Sequence, residues 1–355
     1  IGNLIFMKLH KKIIIFILIV FFKTETLFSE NNLFNVNNIQ VEKKDKISNK
    51  ALADKAIKKG FNQLLDKILL KKDTDLFSNL SFSSIKELVV FYQIGKIPDK
   101  ENSEQLVNFN ITFDKDKIHN LFFKAGVLYS KISDKELYVL PILFKSNEVN
   151  VFNNNFFYEK WNEIYKTDLI EFVLPLENIE SIKIINEQKS NPINLKVEKL
   201  FKEYSVKNLA LILIEDSARN KEKVYIKTRI QGKNISKSLE FKRENLDTNK
   251  FYEKIVYETK KELIDLVKSE NLIDVRTPSF LNIRLSVNKK SNLVILNSRI
   301  KTIDSIENIF VQDFNKNFMS LRIKYLEKLE KLINDLKKEN INLKLINEKW
   351  VIKTL

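Results

Sequence analysis

The chain has no cysteine in 355 residues. That absence removes disulfides and thiolate nucleophiles, and it makes zinc an unpromising cofactor. Glycine is also scarce: Gly2, Gly60, Gly95, Gly126 and Gly232 stand far apart. Neither a phosphate-cradling loop nor a dinucleotide fingerprint can be assembled from them. Only two histidines occur, His10 and His119. A Ser-His-Asp triad would have to use His119, whose setting Lys117-Ile118-His119-Asn120-Leu121 reads as the surface of a helix. No metal, no cofactor and no catalytic residue is assigned on this basis. The net charge is +15, yet only seven of the 61 basic residues are Arg. The Lys and Asn richness reads as AT-rich coding. The bases are interleaved with acids as on a solvated surface, and phosphate recognition favours the Arg fork. Nucleic acid is therefore not expected as a partner.

What is present begins with residues 7–29. Met7 opens a basic segment with Lys8, Lys11 and Lys12, and an unbroken apolar run follows from Ile13 to Phe22. This is the layout of a secretory leader, since about 20 apolar residues are needed to span a bilayer. Cleavage is expected near Ser29. The alternative is an uncleaved leader that holds the protein peripherally at the inner membrane. No cysteine follows the run, so lipid attachment is excluded. No later apolar run reaches about 18 residues.

Hydrophobic periodicity predicts a multidomain α/β and α+β chain in three blocks. Residues 30–130 form an α+β domain. Its strand Phe34–Val41 precedes a helix capped by Ser48, and strands follow at Leu88–Ile94 and Leu106–Phe113, joined across Pro98–Ser103. A helix from Asp114 then stops at Gly126. Gly60 on the apolar face of the first helix implies close packing against another backbone. Residues 131–272 form a mixed α/β domain. Its buried strands are Leu137–Phe144, Leu169–Leu176 and Leu209–Ile214, with a helix opened by Asn191-Pro192. A hairpin follows, turning at Gly232-Lys233 with type II′ geometry, and then a helix over Asn249–Ser269. Residues 275–355 follow the order β-α-β-β-α-β, the ferredoxin-like split βαβ plan, ending in one strand from Leu343 to Lys353.

Two groups of side chains are candidates for function. Glu177, Glu215 and Asp216 follow the carboxyl ends of predicted parallel strands, where ligands bind in open α/β sheets. They could bind a ligand or act as acid and base. The bland reading is a cluster of turn and cap residues. Phe157, Tyr158 and Trp161 lie in an aromatic segment from Phe152 to Tyr165 and form a candidate partner-binding surface. Core packing is the commoner fate of such a segment.

The stretch Val107-Asn108-Phe109-Asn110-Ile111-Thr112-Phe113-Asp114, the helix to Gly126 and the strand Leu137-Tyr138-Val139-Leu140-Pro141-Ile142-Leu143 carry a family likeness. Together with Phe157 to Trp161, Val173-Leu174-Pro175-Leu176, Leu209 to Glu215 and the helix Ala51 to Leu70, they resemble the bacterial Domain of Unknown Function 2066 family. The family carries further tryptophans around the aromatic segment, where this chain has Phe152 or Phe157. The resemblance implies an exported envelope protein of Gram-negative bacteria and brings no catalytic residues. The resulting expectation is a periplasmic, non-enzymatic interaction or assembly module that binds another envelope protein. The alternative is a periplasmic hydrolase or small-ligand binder using the strand-end carboxylates.

Overall fold

The computed structural model describes residues 33–43, 48–95, 105–132, 134–145, 148–204, 207–216, 221–243, 246–286, 291–314 and 318–354. The leader and the turn at 98–103 lie outside them. The fold is mixed α/β with several sheets. It divides into two compact units: the residues up to Leu64 with Asn79–Val127 and Asp274–Leu355, and Leu65–Ser78 with Leu128–Ile273.

The first unit opens with β1 (Asn35–Lys43), α1 (Asn49–Ile68), α2 (Phe82–Glu87), β2 (Val89–Ile94), β3 (Gln105–Phe113) and α3 (Lys115–Ala125). The strands form an antiparallel sheet in the order β1-β3-β2. Ser48 Oγ accepts from Ala51 N at 3.2 Å and starts α1. Asp114 Oδ1 does the same for α3, accepting from Asp116 N and Lys117 N, and Gly126 ends that helix at φ 68°. Val107, Phe109, Ile111 and Phe113 alternate inward along β3. A Cβ on Gly60 would come within 2.7 Å of Ile39 Cδ1 and 3.0 Å of Ile111 Cδ1. The expected close approach is real, but it is to side chains of β1 and β3 rather than to backbone.

The second unit is built on a six-stranded sheet. Its elements are β4 (Tyr129–Ser130), β5 (Glu136–Lys145), β6 (Glu148–Asn150), α4 (Phe156–Lys160), β7 (Glu171–Val173), α5 (Ile179–Glu187), β8 (Asn208–Asp216), β9 (Lys221–Ile230), β10 (Lys233–Lys242), α6 (Thr248–Ser269) and β11 (Leu272–Ile273). The order is β10-β9-β8-β5-β6, with β7 also on β5, and both β8 and β7 run parallel to β5. Three expectations change. The strand predicted over Leu169–Leu176 is only the three residues of β7. The predicted helix after Asn191 is a series of single turns at 192–194, 197–200 and 202–204. The regular helix is α5, which Asn178 caps through Glu180 N. The hairpin turns at Gln231-Gly232, both with positive φ (50° and 80°), because Ile230 pairs with Lys233. That is type I′, whose twist matches the flanking strands.

The C-terminal part of the first unit holds β12 (Ser279–Ser286), α7 (Ser291–Ile300), β13 (Ile306–Phe314), β14 (Phe318–Tyr325), α8 (Leu329–Lys338), β15 (Ile341–Ile346) and β16 (Lys349–Thr354). The single last strand expected from sequence is a hairpin. Asn347 and Glu348 both have positive φ (47° and 61°), a two-residue turn that reverses the chain. The strand order is β13-β14-β12-β16-β15, with β16 parallel to β12 and the other pairs antiparallel. One face carries Ile283, Leu285, Leu321, Ile323, Leu343 and Ile352 into a core that includes Leu332 and Leu336 of α8. Beside β13, His119 Nδ1 lies 2.9 Å from Glu307 Oε1, and Lys115 Nζ donates to Ile306 O at 3.0 Å. The helix-surface histidine expected from sequence is thus a buried one.

Candidate functional site

The site grows from the central pair of parallel strands. β8 is buried from Asn208 through Ile214, as a strand covered on both faces must be. Its residues alternate between two cores. Ala210, Ile212 and Ile214 join Phe157, Trp161, Val224 and Phe251, whereas Leu209, Leu211 and Leu213 join Leu140, Ile142 and Phe201. The same alternation continues to the strand end. Glu215 and Asp216 therefore leave β8 on opposite faces. Glu177 is exposed and accepts from Asn153 Nδ2 at 3.0 Å. The three carboxylates expected to converge on a ligand do not meet.

Asp216 instead joins a cluster that includes residues not singled out in the sequence. Lys145 and Asp216 are register partners, the last residues of β5 and β8. Lys145 Nζ lies 3.2 Å from Asp216 Oδ2, and Tyr252 OH on α6 donates to the same oxygen at 2.6 Å. Glu222 on β9 is buried beside them, and Arg243 Nη2 lies 3.6 Å from its Oε1. Burial first, then the hydrogen bond and charge of Asp216, push the Glu222 carboxyl up to about 7. Burial also works against the Asp216 carboxylate, but hydrogen bonds from Tyr252, Lys145 and Glu222 outweigh it and hold its pKa down. The Tyr252 hydroxyl is pushed up by burial and by Asp216. The arrangement sets two carboxyl groups with opposite pKa shifts beside an ammonium and a phenol. Opposite shifts of this kind suit acid–base work. Here the Glu222 and Asp216 side chains are only 1% and 9% exposed, so a substrate has little of either to reach. Glu222 could have been found from sequence: it occupies the inward phase of β9, two residues before Val224.

The aromatic segment is core. Phe157 and Trp161 are fully buried, and Tyr158 is half-buried with its hydroxyl donating to Pro175 O at 2.8 Å. Neither Phe157 nor Trp161 is available as a contact surface, because α4 turns its apolar side into the sheet. Asn155 fixes that orientation from a fully buried position. Its Oδ1 caps α4 through Phe157 N, and its Nδ2 donates to Pro141 O, Asn150 O and Val151 O. Lys260 of α6 seals the other end, its buried ammonium donating to the carbonyls of Trp161 and Ile164 at 2.5 and 2.7 Å. Burial lowers its pKa to about 8. A lysine within the apolar stripe of Val256, Leu263 and Ile264 was the available signal.

No metal-binding group of three or more His, Cys, Asp or Glu occurs among the described residues. None of their helices is long and apolar enough to cross a membrane. No family model matches the chain, and neither does any curated protein or solved structure at a significant level. The functional reading therefore rests on geometry.

Proposed function

We propose that this protein is an exported, non-enzymatic module of the bacterial cell envelope that binds another envelope protein by strand addition. The observation that carries the reading is β2. This edge strand reads Val-Val-Phe-Tyr-Gln-Ile and holds no charge or proline. Val90, Phe91, Tyr92 and Ile94 are 59%, 42%, 45% and 52% exposed. Among the described residues no strand pairs with its outer edge. Native edges are normally blunted by lysine, proline or cover. An unprotected edge with aromatic side chains fits a partner that adds a strand through main-chain hydrogen bonds.

The test is crosslinked co-purification from envelopes, comparing the native chain with a Phe91→Lys/Gln93→Lys variant. Both positions lie on the solvent side of the sheet, opposite Thr112 and Asn110. The variant should lose the partner while keeping its melting temperature. Undiminished recovery would refute strand addition at β2. Export is tested separately, by a reporter fused after Asn32 that is active only outside the cytoplasm.

The same reading takes the likeness to the Domain of Unknown Function 2066 family as its account of origin. It takes the C-terminal sheet as a ferredoxin-like plan in which β16 occupies the place beside β12 and β15 moves to the edge. The second reading, a periplasmic hydrolase or ligand binder, is favoured by one observation, the cluster of Asp216, Lys145, Tyr252 and Glu222, in which the two carboxyl groups have opposite pKa shifts. It requires Asp216→Asn to abolish function without loss of stability or of partner recovery.

A further inference from the structure

The face of the five-stranded sheet opposite its core is open, and it carries a repeated pattern. Phe280 and Arg284 on β12 are four apart, as are Phe318 and Arg322 on β14. In the antiparallel register Asn282 faces Arg322 and Arg284 faces Ser320. Each arginine therefore meets the phenylalanine of the other strand along the diagonal. The Arg322 guanidinium lies 4.3 Å from the Phe280 ring centroid, and the Arg284 guanidinium lies 4.6 Å from that of Phe318. Two of only seven arginines in a lysine-rich chain are used here. Neither has an ion-pair partner among the described residues. Stacking holds each fork in place and leaves its donor edge for an oxyanion. The positive face continues across the sheet. Val351 on β16 is the register partner of Arg284, so Lys349 and Lys353 share that face, and Lys344 on β15 faces Val351. All three lysines are exposed.

We propose that this open face docks on an anionic lipid bilayer, with the two guanidinium groups and the three lysines against headgroup phosphates. The surface is separate from the β2 edge. Three observations select the bilayer over other anions. The cations are spread over four neighbouring strands of one sheet rather than gathered in a cleft, which matches a planar array of phosphates. The face also carries Lys344, Lys349 and Lys353, and protein interfaces are depleted in lysine. The Phe280 and Phe318 rings are already stacked on guanidinium groups, whereas single-stranded nucleic acid binds by stacking its bases on aromatic rings. On the neighbouring edge strand Phe310, the register partner of Arg322 on this face, is 44% exposed, the kind of side chain that enters the headgroup boundary.

The experiment is vesicle co-sedimentation of the chain from Glu30, which keeps every described residue. Vesicles of phosphatidylcholine alone are compared with vesicles containing one-third phosphatidylglycerol. Binding is expected only to the anionic vesicles and should fall with added salt. Arg284→Gln with Arg322→Gln should weaken it about 30-fold, from about 1 kcal/mol per basic residue at an anionic surface. Lys344→Gln, Lys349→Gln and Lys353→Gln together supply a second variant that leaves the stacks intact, and it should weaken binding at least as much. Lys183→Gln with Lys189→Gln, an equal loss of charge on an exposed helix end of the other unit, should change it little. Equal losses in the arginine and Lys183/Lys189 variants would overturn the proposal. So would equal binding to neutral vesicles, or tighter binding to polyglutamate or to oligo-dT than to anionic vesicles.

Discussion

Lys260 Nζ donates to the carbonyl oxygen of Trp161 at 2.5 Å, so a side chain of α6 closes the C-terminal end of α4 from within the core. Three carbonyls, those of Trp161, Ile164 and Tyr165, converge on this one ammonium, which also lies 5.0 Å from the Phe172 ring centroid. Lys268, eight residues on along the same helix, does the same for the end of α1, donating to Leu69 O at 2.8 Å and to Asp66 O. The four terminal carbonyls of a helix need partners when buried. Here a buried lysine supplies a partner for one carbonyl at the end of α4, Trp161, and for two at the end of α1, Asp66 and Leu69.

Lys260→Met should destabilise the protein by about 3 kcal/mol, because the carbonyls lose charged hydrogen bonds and stay buried. The pH dependence is a sharper mark. The folded pKa, about 8, lies below the unfolded value of 10.5, so the folded state releases the proton more readily. Stability from this group therefore rises as pH increases from about 8 toward 10.5. Burial lowers the Lys268 pKa too, so it adds in the same direction. Urea titrations across that range should show the rise in the native protein and a smaller one in the Lys260→Met variant.

Glu222 predicts an opposite slope at lower pH. Its folded pKa is raised from 4.5 to about 7, so the folded state holds the proton more tightly than the unfolded chain. Its contribution is full below 4.5 and is lost as pH rises through 7. Asp216, whose pKa is lowered from 3.8, works the other way but only in more acid solution. Glu222→Gln keeps a hydrogen-bond donor toward Asp216 at every pH. It should flatten the decline between pH 5 and 7, read as the midpoint of chemical denaturation, and a decline left unchanged would remove Glu222 as its source.

How far the sequence carried depended on whether the deciding residue was local. The strands β5 and β8 were legible because unbroken apolar runs such as Leu209 to Ile214 have few other uses, and Ser48, Asp114 and Gly126 mark helix ends by their own chemistry. The Asn347-Glu348 turn was not legible, since no glycine marks it and apolar residues flank it on both sides. Asp216 was found at its strand end. Its partners Glu222 and Tyr252 are brought to it by a hairpin and a helix, and neighbours in space leave no spacing in the chain. The separation of Glu215 from Asp216 was open to reading from the alternation of a strand, although the expectation grouped the two.

Trp161 now yields a prediction about stability rather than contact. The ring is fully buried, so Trp161→Ala should cost about 3–5 kcal/mol. Partner recovery per folded molecule should be unchanged, because no part of the side chain reaches the surface. Loss of recovery at full stability would restore the segment as a docking site.

The C-terminal residues from Asp274 should fold without the rest of the chain, since the buried core cluster of Leu281, Ile283, Leu285, Leu332 and Ile352 draws on this part alone. Expressed alone, they should melt cooperatively. The isolated segment loses the His119–Glu307 and Lys115–Ile306 contacts, so its midpoint should be lower than in the full chain. A segment that becomes ordered only when residues 33–127 are supplied would show that the sheet depends on α3.

The β15–β16 turn offers a stabilising change. Glu348 sits at φ 61°, where a side chain costs about 1–2 kcal/mol and glycine nothing comparable. Asn347 already occupies the first position of a type I′ turn, so Glu348→Gly creates the preferred Asn-Gly pair. The gain in the folded state exceeds the added freedom of the unfolded chain, which opposes it by about 0.4–1 kcal/mol. The net expectation is a stabilisation of about 0.5–1 kcal/mol, seen as a higher melting midpoint of the isolated 274–355 segment, where no other unit masks it. A lower midpoint would mean that Glu348 makes a contact worth more than its backbone strain.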